Sequence, residues 1–282
     1  MSENIDTAVH WASDQISSIS ESARLDAELL LAHCLDKPRS FLYSWPEKVL
    51  SEESWQQYRA LVARRLLPTP IAYILGSREF YSMEFTTNAA VLVPRPETEL
   101  LVEQLLHHCP VDLPCKILEL GTGSGIIAIT LKHQRPLATV LATDIDPACL
   151  AVARGNATRH QLEVEFVESN WFENIEPHVH YDLIVSNPPY IAADHPFLEQ
   201  GDLPAEPDIA LSPGKTGMEA LEILISQAPR YLLPGGWLLL EHGYDQQELV
   251  AELLKEQQFD QIKCEYDDND LPRVSIGRFG KL

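Results

Sequence analysis

Asn187-Pro188-Pro189-Tyr190 is the segment of this chain whose residue types and order ask for one particular chemistry. An amide or exocyclic amino nitrogen is a poor nucleophile, because its lone pair is delocalised, and it carries two N–H donors. Two fixed acceptors can hold both donors: the Asn187 side-chain carbonyl and the Pro188 main-chain carbonyl. Pro189 drives the residue before it into an extended conformation and so fixes where the Pro188 carbonyl points. Tyr190 offers a flat ring for stacking against a planar group. A nitrogen held in this way keeps its orientation and gains electron density, and attack on an electrophilic methyl becomes a matter of alignment and electrostatic preorganisation. No histidine, serine or lysine base is evident, and none is required before transfer. Asn-Pro and Pro-Pro are also common loop punctuation. That reading explains the prolines but not their place directly after the apolar run Asp182–Ser186.

A second constellation is Glu119-Leu120-Gly121-Thr122-Gly123-Ser124-Gly125, which follows one predicted strand and opens a helix. Glycines let the backbone turn tightly and approach a ligand, and a ligand here lies at the carboxyl edge of the sheet, where doubly wound folds bind nucleotides. The dinucleotide fingerprint needs GxGxxG. Here the spacing is GxGxG, and Ile126 stands where that fingerprint needs its last glycine. Glu119 at the strand end would repel a phosphate and suits a cofactor with positive charge, such as the ammonium and sulfonium of S-adenosylmethionine. Asp144 ends the next predicted strand, where a carboxylate can accept from both ribose hydroxyls. Asn170-Trp171 follows the third strand. Asn170 could hydrogen-bond an adenine and Trp171 could cover its face, although a lone tryptophan is as readily a core aromatic.

The elements that must position these residues read as follows. Apolar residues at three- and four-residue spacing predict helices around Asp6–Ile19, Ala23–Cys34 and Glu52–Leu67, with Ser51 as a cap and Pro68 and Pro70 as stops. Phe80, Met83, Phe85, Val91 and Val93 among polar residues predict a β-hairpin over Arg78–Val93, with Asn88 as its turn. Pro94-Arg95-Pro96-Glu97-Thr98-Glu99 opens a helix through His107, with Pro96 and the glutamates suited to its first turn. Strand and helix then alternate. Strands are predicted at Lys116–Leu120, Thr139–Asp144, Val164–Glu168, Asp182–Ser186, Trp237–His242, Gln261–Tyr266 and Arg273–Arg278; helices at Ser124–His133, Pro147–Arg159, Gly217–Leu232 and Gln246–Gln258. This is the pattern of a seven-stranded, mostly parallel Rossmann-like α/β sheet preceded by a small helical bundle. The domain boundaries expected are residues 1–75 for the bundle, 76–93 for a hairpin linker and 94–282 for an S-adenosylmethionine-dependent methyltransferase domain.

Composition narrows the partners. The 282 residues are 45% hydrophobic, enough for a sizeable core, and carry a formal net charge of −21. Proteins that grip duplex DNA or long RNA usually present a basic surplus, so sequence-specific nucleic-acid binding is not expected; an acidic surface suits solubility and a basic protein partner. No apolar run is long enough for a membrane span, and the N-terminus lacks the apolar stretch of a signal peptide. The five cysteines (Cys34, Cys109, Cys115, Cys149, Cys264) form no CxxC pair, which fits a reducing cytoplasm and no disulfide framework. His107-His108-Cys109 has poor metal-ligand spacing and reads as the end of an amphipathic helix, so no metal is expected.

Together, Pro94–Glu99, the Glu119–Gly125 loop, Asp144, Asn187–Tyr190 and Leu239-Leu240-Glu241-His242-Gly243 closely resemble the bacterial peptide chain release factor N5-glutamine methyltransferases, the HemK/PrmC family. Pro70–Gly76 and the helical start also fit, so the resemblance spans nearly the whole chain. It implies a class I methyltransferase fold with an N-terminal substrate-recognition domain. It implies S-adenosylmethionine as cofactor, S-adenosylhomocysteine as product, and as substrate the glutamine of the Gly-Gly-Gln motif of class 1 release factors. Cofactor contacts are implied at Gly121–Gly125 (with Thr122, Gly123 and Ser124), Asp144, Trp171 and Asn187, and substrate contacts at Asn187, Pro188, Pro189 and Tyr190. Arg95 and Glu97 are candidates for a charged latch beside the substrate, or for an ordinary surface ion pair. Many members carry Asp before the tryptophan where this chain has Asn170, which weakens an adenine-edge role there, and Ser212-Pro213-Gly214-Lys215 is less glycine-rich than in many members.

Three other readings compete. A DNA adenine N6-methyltransferase would use the same tetrapeptide on a flipped base, but residues 1–75 hold ten acidic and seven basic residues, and Asp194, Glu199, Asp202, Glu206 and Asp208 crowd the stretch after Tyr190. A catalytically silent binding module is disfavoured by the intact glycine loop and Asn187, and a nicotinamide oxidoreductase by Glu119 and the missing last glycine.

Overall fold

The computed structural model describes residues 3–280. The chain forms two compact units: one comprises the chain up to Ser77 together with Glu199–Ala205, and the other comprises Arg78–Leu198 and Glu206 onward.

The first unit is built from α1 (Ile5–Ile16), α2 (Ala23–Leu35), α3 (Arg39–Ser44), α4 (Glu52–Arg65) and α5 (Ile71–Leu75). Ser51 caps α4 as expected, its Oγ accepting from the Ser54 N–H at 3.0 Å. Ile5, Val9, Leu30, Leu31, Tyr58 and Val62 are in its core, and the Tyr58 hydroxyl donates to the Ala27 carbonyl at 3.0 Å. Two acidic side chains of α2 are also buried. Asp26 accepts from Arg65 Nε at 2.9 Å, and the same guanidinium reaches Asp202 at 2.7 Å. Glu28 is held by Arg24, Arg39 and the Tyr43 hydroxyl.

The second unit opens on a hairpin of β1 (Ser77–Phe80) and β2 (Met83–Thr86). Its two-residue turn is Tyr81-Ser82, both with positive φ (52° and 60°), the left-handed pair that suits strand twist. The turn expected at Asn88 is instead a local bend after the hairpin, in which Asn88 Oδ1 accepts from the Ala90 N–H at 2.9 Å. Tyr-Ser carries none of the Asn-Gly signal that marks such turns, so periodicity alone stretched the hairpin to Val93. Phe80, Met83 and Phe85 belong to the core of this unit, and the Thr86 backbone N–H donates to Asn156 Oδ1 at 2.8 Å.

There follow α6 (Thr98–His108), β3 (Lys116–Leu120), α7 (Ile126–Gln134), β4 (Thr139–Asp144), α8 (Pro147–His160), β5 (Glu165–Glu168), β6 (Tyr181–Ser186), α9 (Asp208–Leu211), α10 (Glu219–Gln227), β7 (Leu232–Glu241), α11 (Gln247–Glu256), β8 (Phe259–Tyr266) and β9 (Pro272–Phe279). The seven-stranded sheet has the order β5-β4-β3-β6-β7-β9-β8. The first five strands are parallel; β9 runs antiparallel between β7 and β8. Side chains alternate across it. Ile117, Leu183, Val185 and Leu239 face the core shared with α6 and α7, whereas Leu118, Leu120, Ile184, Leu238 and Leu240 face that shared with α10 and α11. The sequence places these strands to within a few residues except β7, which starts at Leu232 because Leu232 already pairs with Tyr181 before an irregularity in the ladder. The helix expected over 217–232 is shorter: Pro229 cannot donate to a helical ladder, and the chain passes into a 3₁₀ turn over Ala228–Arg230. Helix α6 starts at Thr98, two residues later than the prolines suggest, after tight turns in which Thr98 and Glu99 N–H donate to the carbonyls of Arg95 and Pro96.

Candidate active site

The sheet order reverses between β3 and β6. From β3 the chain winds outward through β4 and β5; β6 then pairs with the other side of β3, in the register Leu120↔Ser186. The glycine loop leaves the carboxyl end of β3 and Asn187–Tyr190 leaves the carboxyl end of β6, so both emerge side by side at the switch point where open α/β sheets bind ligands. A cavity of about 270 Å³ opens there, and its wall includes Gly121–Ser124, Asp144, Trp171, Asn187 and Pro189.

The loop is set by its backbone. Gly121, Gly123 and Gly125 have φ of 73°, 54° and 83°. At Gly125 a Cβ would also lie 2.8 Å from Ile129 Cδ1 and 3.1 Å from Ala153 Cβ, so this glycine lets α7 and α8 pack and is not on the cavity wall. Glu119, fully buried, ties the loop down from behind: its Oε2 accepts from Thr122 Oγ1 at 2.8 Å and from the Ala128 N–H at 3.0 Å. Its Oε1 has no hydrogen-bond partner among the described residues. Burial drives its pKa up to about 8, against those two donors. Glu119 is thus beneath the loop instead of on the cavity wall where the sequence expectation put it.

Asp144 reaches the cavity directly. Its two oxygens accept the N–H groups of Gly123 and Asp146 at 2.8 and 3.0 Å, and each keeps a free lone pair. Burial raises its pKa, and the two N–H bonds oppose that rise. Trp171 has φ 50°, with its carbonyl held by Ser169 Oγ at 2.8 Å. Its ring packs both against the sheet core and beside Gly121, whose Cβ would sit 3.6 Å from it. This tryptophan is thus a core aromatic that also borders the cavity. Asn170 lies at the rim, exposed, with its amide donating to Glu173 at 2.8 Å.

Asn187 is half-buried, and its Nδ2 donates to Thr98 Oγ1 at 3.1 Å. Pro188 is buried behind it. Tyr190 differs from expectation. Its ring packs against the sheet core, its hydroxyl donates inward to Glu241 Oε1 at 3.3 Å, and it is not on the cavity wall. A phenol hydroxyl beside a buried carboxylate takes that acceptor in preference to water. Glu241 is itself buried, and its Oε2 is without a partner among the described residues. Burial lifts its pKa to about 7, partly offset by the Thr98 and Tyr190 hydroxyls. Arg95 is on the cavity wall but pairs with buried Glu206, not with Glu97; Glu206 also accepts the Val93 N–H at 2.9 Å. The latch considered for Arg95 and Glu97 is therefore an Arg95–Glu206 anchor.

Sequence reading missed Thr98, Glu206 and Glu241, as well as the apolar wall formed by residues such as Leu92, Ile127, Ile145 and Ile223. Thr98 and Glu241 lie inside quoted motifs, but nothing in those motifs says which side chains meet.

The chain matches two described families: the PrmC N-terminal domain over residues 7–76 and the methyltransferase small domain over residues 96–199. A release factor glutamine methyltransferase of Shewanella oneidensis is 41% identical over 273 residues, which is 96% of this chain and 95% of that protein. One from Pseudomonas aeruginosa is 44% identical over 261 residues, 92% and 94% of the two chains. Among solved structures, a methyltransferase from Pyrococcus furiosus superposes with a TM-score of 0.55 at 19% identity, covering 72% of this chain and 91% of its own, a likeness of fold.

Proposed function

The chain belongs to the release factor glutamine methyltransferase family, and on that premise we propose that it transfers a methyl group from S-adenosylmethionine to the side-chain amide nitrogen of the Gly-Gly-Gln glutamine of class 1 peptide chain release factors. The observation that carries this reading is that Asn187 and the glycine loop wall the same cavity, at the switch point of the sheet.

The residues present suit that cofactor. Asp144 faces the cavity with lone pairs to spare for a ribose diol. The glycine loop carries no cation of its own, so it offers a pyrophosphate no charged partner. Ile127, Ile145 and Trp171 supply an apolar wall for a flat base. When bound, S-adenosylmethionine supplies an electrophilic methyl on a sulfonium and leaves as S-adenosylhomocysteine.

The chain's own residues do the rest by orientation. The Asn187 side-chain carbonyl and the Pro188 main-chain carbonyl accept the two amide N–H groups of the substrate, which points the nitrogen lone pair at the methyl. As the N–C bond forms and the S–C bond breaks, the nitrogen becomes acidic and one proton passes to solvent. Tyr190 braces the turn from inside through Glu241. The helical first unit is assigned to recognition of the release factor.

The test is incubation with labelled cofactor and a release factor carrying Gln or Ala in its Gly-Gly-Gln motif. Label in the first and none in the second is expected; label in both, or in neither, would overturn the reading. Asn187→Ala should lower transfer on the order of 100-fold or more with cofactor affinity retained by calorimetry.

A further inference from the structure

The tetrapeptide is a stiff segment that must be held at both ends. Pro188 and Pro189 fix φ at its two inner residues, so a displacement of Tyr190 is passed on to the Pro188 carbonyl and the Asn187 amide. The near end is held by β6, where Ser186 pairs with Leu120 and Leu240 and its hydroxyl donates to the Leu120 carbonyl at 2.7 Å. The far end has left the sheet. There the main-chain carbonyl of Tyr190 accepts from Gln246 Nε2 at 2.9 Å.

Gln246 is 8% exposed, and both polar atoms of its amide are engaged. Oε1 accepts from the Gly243 N–H at 2.9 Å, and Nε2 also donates to the Gly217 carbonyl at 3.2 Å. These partners fix the orientation of the amide, because a backbone N–H only donates and a carbonyl only accepts. One side chain thereby joins the loops that follow β6 and β7 to the loop that precedes α10. Gly217 approaches the same carbonyl. It has φ 80°, and a Cβ there would lie 2.6 Å from the Tyr190 oxygen and 3.0 Å from the Ala192 nitrogen. Just beyond, the Ile191 and Ala193 N–H groups donate to the carbonyls of Leu211 and Gly214 at 3.0 and 2.9 Å. Those bonds tie the turn to the stretch that carries the cavity-wall residues Ala210, Ser212 and Pro213.

We infer that Gln246, with Gly217 packed beside it, clamps the Tyr190 carbonyl and so fixes where the Pro188 carbonyl and the Asn187 amide receive the substrate nitrogen. Gln246 is then a positioning residue for the reaction proposed above, on which the inference rests. Helix capping does not account for it. Gln246 directly precedes α11, yet its side chain makes no capping bond to that helix, and serine or aspartate would cap better.

The experiment compares Gln246→Met and Gln246→Glu with the wild-type protein in mildly alkaline buffer, with folding checked by thermal melting. Methionine keeps the length and loses all three bonds. Glutamate keeps an acceptor for Gly243 and sets an anion against the two carbonyls. If the side chain only holds its own turn, glutamate is the milder change; if it clamps Tyr190, glutamate is the more harmful. The expected result is a fall in kcat for release factor methylation on the order of 100-fold in Gln246→Glu and about 10-fold in Gln246→Met. The KM for the release factor and the dissociation constant of S-adenosylmethionine should each change by less than about threefold. Near wild-type kcat in Gln246→Glu overturns the inference, as does a loss that falls equally on cofactor binding. A second readout needs no methyl acceptor. Hydrogen exchange of the Ile191 and Ala193 amides should quicken by about tenfold or more in both variants, while the Gly123 amide, bonded to Asp144, is unmoved. Unchanged exchange at Ile191 and Ala193 also overturns the inference. If the wild-type protein leaves the release factor unlabelled, the functional reading fails, and exchange alone decides the clamp.

Discussion

Buried carboxylates are treated oppositely in the two units. In the helical unit, Asp26 is ion-paired with Arg65, and Glu28 has Arg24, Arg39 and Tyr43 around it. Burial pushes the Glu28 pKa up, but those three donors outweigh it and the group is held below the usual range. In the methyltransferase unit, Glu119 and Glu241 are equally buried, bond only hydroxyls and a backbone N–H, and each keeps an oxygen with no partner among the described residues. Their pKa values rise to about 8 and about 7. The first arrangement closes a core around charges. The second leaves carboxyl groups without a cation beside a cavity, where burial favours their protonated form.

The contrast can be broken most strongly at Arg65. Arg65→Met should destabilise the protein by about 3–5 kcal/mol, because it leaves Asp26 buried without its partner; a loss of unfolding free energy smaller than about 1 kcal/mol in urea denaturation would place Asp26 with the unpaired carboxylates. Next is pH. A carboxyl whose folded pKa is raised contributes stability that is complete below its unfolded value of 4.5 and lost as pH rises through the folded value. Glu119 therefore costs stability progressively between about pH 4.5 and 8, with a slope of up to about 1.4 kcal/mol per pH unit. Glu119→Gln should remove that slope and melt higher at pH 8 than the wild type; an unchanged profile in urea titrations at several pH values would show that the folded pKa of Glu119 is not raised. Asp144 is intermediate, a buried carboxylate held by two N–H groups. Asp144→Asn should weaken S-adenosylmethionine binding about tenfold, near 1.4 kcal/mol, by calorimetry, and an unchanged dissociation constant removes the ribose role. The smallest effect belongs to the rim. Arg39 is 42% exposed, so Arg39→Ala should cost no more than about 1 kcal/mol. Because Glu28 is held below its ordinary value, that loss should be largest above about pH 4.5 and vanish as acid protonates the carboxyl.

Legibility in the sequence followed the range of the interaction. Strands β3, β4 and β6, the start of α8 at Pro147 and the Ser51 cap depend on residues within a few positions and were read correctly. The hairpin turn was not, because Tyr81-Ser82 adopts positive φ without a residue type that favours it. The inward Tyr190 was not, because its acceptor is 51 residues away. The partner of Arg95 was not, because Glu206 is 111 residues on.

By itself the sequence determined the α/β order, the glycine loop at the end of β3 and the tetrapeptide at the end of β6, because periodicity, glycine and proline act locally on the backbone. Tertiary structure alone decided what those segments contact. Parallel register put Asn187 next to Glu241, α6 brought Thr98 from 89 residues away to the Asn187 amide, and burial raised the pKa of two carboxylates that in sequence look like any others. Hydrogen-bond polarity and desolvation depend on which groups meet and how much water is left, and neither is written in the order of the residues.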